Sequence, residues 1–152
     1  MPKIRASILI PGLASEAEAL WYDPQRWAAW IDGFGHVAKL EGDWPRAGSR
    51  LAWDSPPGGR GRVSERVVEY EARSGQALEV EDGRLRGTQR VSFEPVTDGV
   101  RIGIELVYEL KGGNFFTPLT DALFIRRVLR DSLKRSLVRF ARERRSDLET
   151  ER

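Results

Sequence analysis

The feature that most constrains this chain is a change of hydrophobic period. From His36 to about Leu110 apolar residues recur at every second position, in runs separated by turn formers at Asp43-Trp44-Pro45, Ser55 to Gly59, Arg73 to Gly75, Asp82-Gly83 and Thr97 to Gly99. In the last run Ile102, Ile104, Leu106 and Tyr108 share one side, while Arg101, Glu105 and Glu109 share the other. The spacing then lengthens to that of a helix, with an apolar stripe of Leu119, Leu123, Leu129, Leu133, Leu137 and Phe140. A sheet apolar on one face needs a cover, and a helix of this length spans one. The pattern predicts an antiparallel meander of six strands closed by a long C-terminal helix.

The same alternation turns Leu51 and Trp53, Val68 and Tyr70, Leu78 and Val80, and Val91 and Phe93 inward, with Glu69, Glu71, Glu79, Glu81, Arg86 and Arg90 outward. Upstream, Ile4 to Ile10 reads as a further strand ended by Pro11-Gly12. Ser15 with Glu18 has the spacing of a capping box, and Asp23-Pro24 starts a second short helix that closes at Gly33. Gly112-Gly113 precedes the last helix, whose cap is placed at Thr117 with Pro118 in the first turn. The expected order is a strand, two short helices, six strands and a long helix. It forms one domain over residues 1–152, with an ordered core from about 4 to 145.

With 152 residues, 40% hydrophobic and 32% charged, the chain suits one core rather than two and is not of disordered composition. It has no cysteine and one histidine, so neither a thiolate metal site nor a thiol nucleophile is expected, and a reducing, cytoplasmic setting suits it. The short apolar run after Lys3 and Arg5 is read as a strand rather than a signal peptide, and no stretch approaches the ~20 apolar residues of a membrane span. No metal-ligand cluster, Ser/His/Asp set or dinucleotide fingerprint is present, so no metal and no cofactor is expected.

Polar residues on the inward side are the better guide to chemistry, because each costs about 1–3 kcal/mol unless it finds a partner or a ligand. By parity these are Ser49, Ser64, Arg66, Tyr70, Gln89 and Tyr108. Arg66 can neutralise an acidic head group or polarise a carbonyl; alternatively the register slips locally and it faces solvent. Tyr70 and Tyr108 offer hydroxyl donors, and His36, on the side of Ala38 and Leu40, has the one side chain with an ordinary pKa near neutrality. Trp27 and Trp30, three apart on the second short helix, form a pocket wall or a plain core anchor. The segment Ser55 to Gly61 lacks the lysine and helix of a phosphate-binding loop and reads as a hairpin loop. The basic run Arg126, Arg127, Arg130, Lys134, Arg135, Arg139, Arg142, Arg144 and Arg145 reads as a solvated helix face.

Asp23 to Trp30, Gly48 to Leu51, Gly61 to Val63 through Val68 to Tyr70, and Gly87-Thr88 leading into Val91 to Pro95 resemble the START-like superfamily, in particular its polyketide cyclase/dehydrase branch, over nearly the whole chain. The resemblance implies an α+β helix-grip fold, a curved antiparallel sheet of about seven strands wrapped around the closing helix. It also implies a hydrophobic cavity between the two, bordered by Trp27, Trp30, Trp53, Arg66, Val68, Tyr70, Gln89, Val91, Phe93, Ile104, Leu106, Tyr108, Leu119 and Leu123.

At ~24 cal/mol per Å³ an empty cavity of ~300 Å³ costs ~7 kcal/mol, so it is expected to hold water, hold a ligand, or be closed by side chains such as Trp53, Phe93 and Tyr108. The first reading is a protein that binds a small hydrophobic or aromatic molecule: a lipid, a quinone or a polyketide. The second is a cyclase or dehydratase using His36, Arg66, Tyr70 or Tyr108 as acid or base. The third is a protein that meets an acidic partner or a membrane through the basic helix. Nucleic acid is not an expected partner.

Overall fold

A computed structural model of the chain describes residues 1–112 and 119–151. Strand β1 (Lys3–Pro11) is followed by helix α1 (Ala14–Trp21), a 3-10 turn (Pro24–Arg26) and the single-turn helix α2 (Trp27–Trp30). The meander β2 (His36–Glu41), β3 (Arg50–Asp54), β4 (Arg62–Glu71), β5 (Gly75–Glu81), β6 (Leu85–Val96) and β7 (Gly99–Leu110) leads to α3 (Leu119–Thr150). The seven strands form one antiparallel sheet in the order β1-β7-β6-β5-β4-β3-β2, so β1 closes onto the last strand of the meander. This is the α+β helix-grip architecture that the resemblance implies, built from the meander and closing helix that the change of period predicts.

Every turn read from the sequence falls between two strands. Arg73 and Asp98 take the left-handed backbone that tight hairpins require, at φ 61° and 66°. Gly33 ends the helical segment at φ +76° with no atom near the position of a Cβ. On β7 the parity holds, with Ile102, Ile104, Leu106 and Tyr108 at most 6% exposed. The outer face is laced by cross-strand ion pairs, Arg90–Glu69 at 2.9 Å, Arg66–Glu79 at 2.8 Å and Arg86–Glu109.

Four local expectations are corrected. The first helix starts earlier than a Ser15–Glu18 box places it: Leu13 is the N-cap and the Glu16 carboxylate accepts its N–H at 2.9 Å. Glu18 instead accepts the backbone N–H of Arg73 at 2.5 Å, tying α1 to the β4–β5 hairpin. In β4 a bulge at Val67–Glu69 lets two residues oppose Leu78. Upstream of it Val63 and Val67 are the buried positions and Ser64 and Arg66 face outward. A second irregularity between Val37 and Lys39 turns Val37 toward the core and leaves His36 and Ala38 exposed. Finally, α3 runs to Thr150, past the expected end of the ordered core at Arg145, and Arg144, only 4% exposed, bonds Glu16 at 2.8 Å. The predicted cap at Thr117 with Pro118, and the Leu119 side chain, lie outside the described residues.

The core is one cluster between the sheet's inner face, α1, α2 and the second half of α3. Trp21, Trp30 and Phe140 meet at centroid distances of 4.5 to 5.2 Å, with both indoles edge to face on Phe140, so the aromatic residues of the short helices are stapled to α3.

Candidate functional site

Between the sheet, α2 and α3 lies a cavity of about 90 Å³. All five tryptophans of the chain border it: Trp21, Trp27 and Trp30 from the helical segment, Trp44 from the β2–β3 connection and Trp53 from β3. Each reaches it for a local reason. Asp23 caps the 3-10 turn by accepting Gln25 N–H at 3.0 Å, which sets Trp27 and Trp30 one helical turn apart and both 3% exposed. The indole N–H of Trp27 donates to Trp21 O and that of Trp44 to Tyr22 O, each at 2.8 Å, so the wall is anchored to the backbone at the end of α1. Trp30 Nε1 is buried without an acceptor.

The floor is made by inward residues of four neighbouring strands, Leu51, Glu65, Leu78 and Gln89, with Ile104 beyond them. Glu65 is the unexpected member. It stands two residues before the β4 bulge, opposite Val80, where the reversed parity turns it inward among apolar side chains. Trp53 Nε1 donates to its Oε1 at 3.4 Å. Burial raises the Glu65 pKa above the usual carboxylate range, opposed by the Trp53 hydrogen bond and the positive charge of Arg60. That guanidinium stands 5.6 Å from the Trp53 ring centre and is held by Asp82 at 2.8 Å. Burial alone would raise the Asp82 carboxyl as well, but the N–H groups of Arg84 and Leu85, with Arg60, hold it below its ordinary value.

The remaining side of the cavity is a seam between the residues after α2 and one face of α3. Asp32, Ser132 and Ser136 border the space and bond one another: Asp32 N–H donates to Ser136 Oγ at 2.8 Å, and Ser132 Oγ donates to Asp32 Oδ2 at 2.7 Å. Arg135 and Arg139 reach the same carboxylate at 3.0 and 3.2 Å. Burial pushes Asp32 up, but these hydrogen bonds and charges outweigh it and keep the carboxyl below its ordinary value.

Of the residues named from the sequence, Trp27, Trp30, Trp53, Gln89 and Ile104 meet at this cavity. Val91, Phe93, Leu106 and Tyr108 point inward but are packed as core beyond its border, and Tyr70 meets Tyr22 edge to face with ring centres 5.7 Å apart. Burial raises the Tyr108 hydroxyl, partly offset by Arg126 and Arg130. Val68 is the half-buried residue of the bulge, and Arg66 is outside the sheet on Glu79. Leu123 is 56% exposed. His36 is on the exposed edge strand with Nε2 3.3 Å from Asp54 Oδ2. Ser49 is buried but donates to Arg46 O at 2.6 Å, within its own turn. Sequence reasoning missed Glu65, Gln76 and the serines of α3. For Glu65 a signal existed: the apolar phase shifts between Val63-Val67 and Val68-Tyr70, and a consecutive Val67-Val68 marks the slip.

Comparison with known proteins agrees with this architecture. The di-domain ARO/CYC StfQ of the steffimycin biosynthetic pathway is 19% identical with a TM-score of 0.74, over 95% of this chain and 51% of that one. A protein of Thermus thermophilus is 21% identical with a TM-score of 0.68, over 94% and 96% of the two chains. DynU16, of the dynemicin biosynthetic locus, is 15% identical with a TM-score of 0.66, over 92% of this chain; the chain spans about half of it, 46%, as it does of StfQ. Such identities show a shared fold alone. No curated protein matches the chain by sequence. The family described as polyketide cyclase / dehydrase and lipid transport matches residues 1–144, nearly the full length, and the chain belongs to that family.

Proposed function

We propose that the chain binds a compact aromatic or otherwise apolar molecule in the tryptophan-bordered cavity. The observation that supports this best is the mixed lining of the tryptophan-bordered space: beside the Asp32–Ser132–Ser136 seam it carries a Glu65 carboxyl and a Gln89 amide, and the bordering Trp30 has a buried N–H with no acceptor. In a finished core such groups cost about 1–3 kcal/mol each, so a ligand with an acceptor oxygen would recover part of that. The space is smaller than the ~150 Å³ that admits benzene in an engineered cavity, so a larger ligand requires the Asp32 seam to part.

A second reading, acid–base catalysis of the cyclase or dehydratase type, is favoured by Glu65 alone. A carboxyl whose pKa burial raises above the usual carboxylate range is a better proton donor to a ligand carbonyl than an ordinary glutamate, and can take the proton back. The residues named for this role from the sequence, His36, Arg66, Tyr70 and Tyr108, do not border the cavity.

Because every tryptophan borders the cavity, intrinsic fluorescence reports on it directly. Titration with acetophenone, a compact aromatic ketone, is expected to quench emission saturably beyond the quenching of free tryptophan. Glu65→Leu is expected to weaken binding roughly tenfold, the worth of one hydrogen bond, while Arg66→Ala leaves it unchanged. Linear, unsaturable quenching in all three proteins would count against the proposal.

A further inference from the structure

The basic residues of α3 separate once their partners are known. Arg126 donates to Lys3 O, Arg135 and Arg139 hold Asp32, and Arg144 is buried on Glu16, so these serve the fold. Arg130 is half-buried and acts on the Tyr108 hydroxyl. Arg127, Lys134, Arg142 and Arg145 are exposed and form no ion pair among the described residues. At 100° per residue these four fall within an arc of about 140° of the helix circumference. The same arc holds Leu123, Phe124, Val128 and Val138, which are 56, 65, 45 and 48% exposed. They account for half of the large hydrophobic side chains that the described residues leave in water. Between Leu123 and Arg145 a single acid, Asp131, interrupts the arc.

An outward face that interleaves four apolar side chains with four uncompensated cations over ~33 Å of helix departs from an ordinary solvated surface. Nucleic acid would satisfy the charges but leave Leu123, Phe124 and Val128 in water. A protein partner would need a groove complementary to a convex rod. An anionic lipid surface satisfies both kinds of group at once, since apolar side chains enter the acyl boundary while arginines stay with the phosphates.

We propose that the outer face of α3 docks the protein on anionic membranes, with Leu123, Phe124 and Val128 inserting and Arg127, Lys134, Arg142 and Arg145 pairing with lipid phosphate. This surface lies opposite the face of α3 that borders the cavity, and the proposal stands whether or not the cavity binds a ligand.

The test is flotation of the full chain with vesicles of phosphatidylcholine, alone or mixed with phosphatidylglycerol, at low and high salt. The protein is expected to float with the mixed vesicles only, and less at high salt. Removing two cations in Arg127→Gln/Arg142→Gln should weaken binding about thirtyfold, and Phe124→Ser should weaken it with the salt dependence retained. All of these positions are exposed, and circular dichroism confirms that each variant is folded. Failure of the wild-type chain to float with mixed vesicles, equal flotation with neutral ones, or full binding by Arg127→Gln/Arg142→Gln overturns the proposal. So does a dimer in light scattering that Phe124→Ser abolishes while no flotation is seen, which would assign the face to a second copy of the chain.

Discussion

Glu65 and Arg66 are adjacent in sequence and opposite in role, and one inserted residue decides which is inside. Parity counted back from Val68 and Tyr70 puts Arg66 in the cavity; the bulge at Val67–Glu69 reverses it, so Arg66 pairs with Glu79 in water and Glu65 meets Trp53. An exposed pair such as Arg66–Glu79 is worth little, at most about 1 kcal/mol. Glu65 has a larger thermodynamic signature because burial desolvates its carboxyl. Its folded pKa lies above the ~4.3 of an unfolded glutamate, so the native state retains a proton that the unfolded chain loses. Stability therefore falls as pH rises from that unfolded value toward the folded one, and the loss is complete above it. Glu65→Gln cannot titrate and is expected to flatten this slope, with its largest stabilisation over wild type at the alkaline end. Urea denaturation of both proteins across the acid to mildly alkaline range checks it, and parallel profiles would show that Glu65 is not desolvated.

At the scale of elements, α3 is a long helix with two different jobs along its length. Its second half supplies Leu137 and Phe140 to the core, 2 and 0% exposed, and its middle closes the cavity through Ser132 and Ser136. The seam to α2 is built on Asp32, which receives four hydrogen bonds and donates its own N–H. Asp32→Ala removes an acceptor from two arginines that are about half exposed, so a cost of about 1–2 kcal/mol is expected rather than the larger value of a buried pair. Hydrogen exchange should quicken selectively around Trp27 to Gly33; a uniform change over the whole chain would mean that the seam is not a local gate. The number and order of elements were legible because period and turn chemistry report them directly. The inward side of β7 was legible for the same reason. The bulge in β2 was not, since a strand slips by one residue without altering its composition, and in β4 the one mark of the slip, the consecutive Val67-Val68, is overridden by simple alternation; the two slips misplaced His36 and Arg66. The arginines of α3 were read as one solvated face because the partners of Arg135, Arg139 and Arg144 lie more than 100 positions away in the chain.

For the whole molecule the cavity is both the functional proposal and a modest energetic liability. At ~24 cal/mol per Å³, 90 Å³ of empty space costs about 2 kcal/mol, against the ~7 kcal/mol expected for a cavity of ~300 Å³. A domain of ordinary stability tolerates that cost. The five tryptophans form much of the wall of this small space, and Glu65 and Gln89 are polar groups on its floor. The binding proposal therefore rests on the chemistry of the lining rather than on the cost of emptiness. Membership in the polyketide cyclase / dehydrase and lipid transport family is compatible with either binding or catalysis. Native mass spectrometry of freshly purified protein, set beside its denatured mass and beside Ile104→Phe, which grows a side chain into the cavity, tests the central claim most directly. An excess mass is expected on the wild-type chain, released on denaturation and absent from Ile104→Phe. A clean apo mass for the wild type over repeated preparations, or an adduct that Ile104→Phe retains in full, would contradict it.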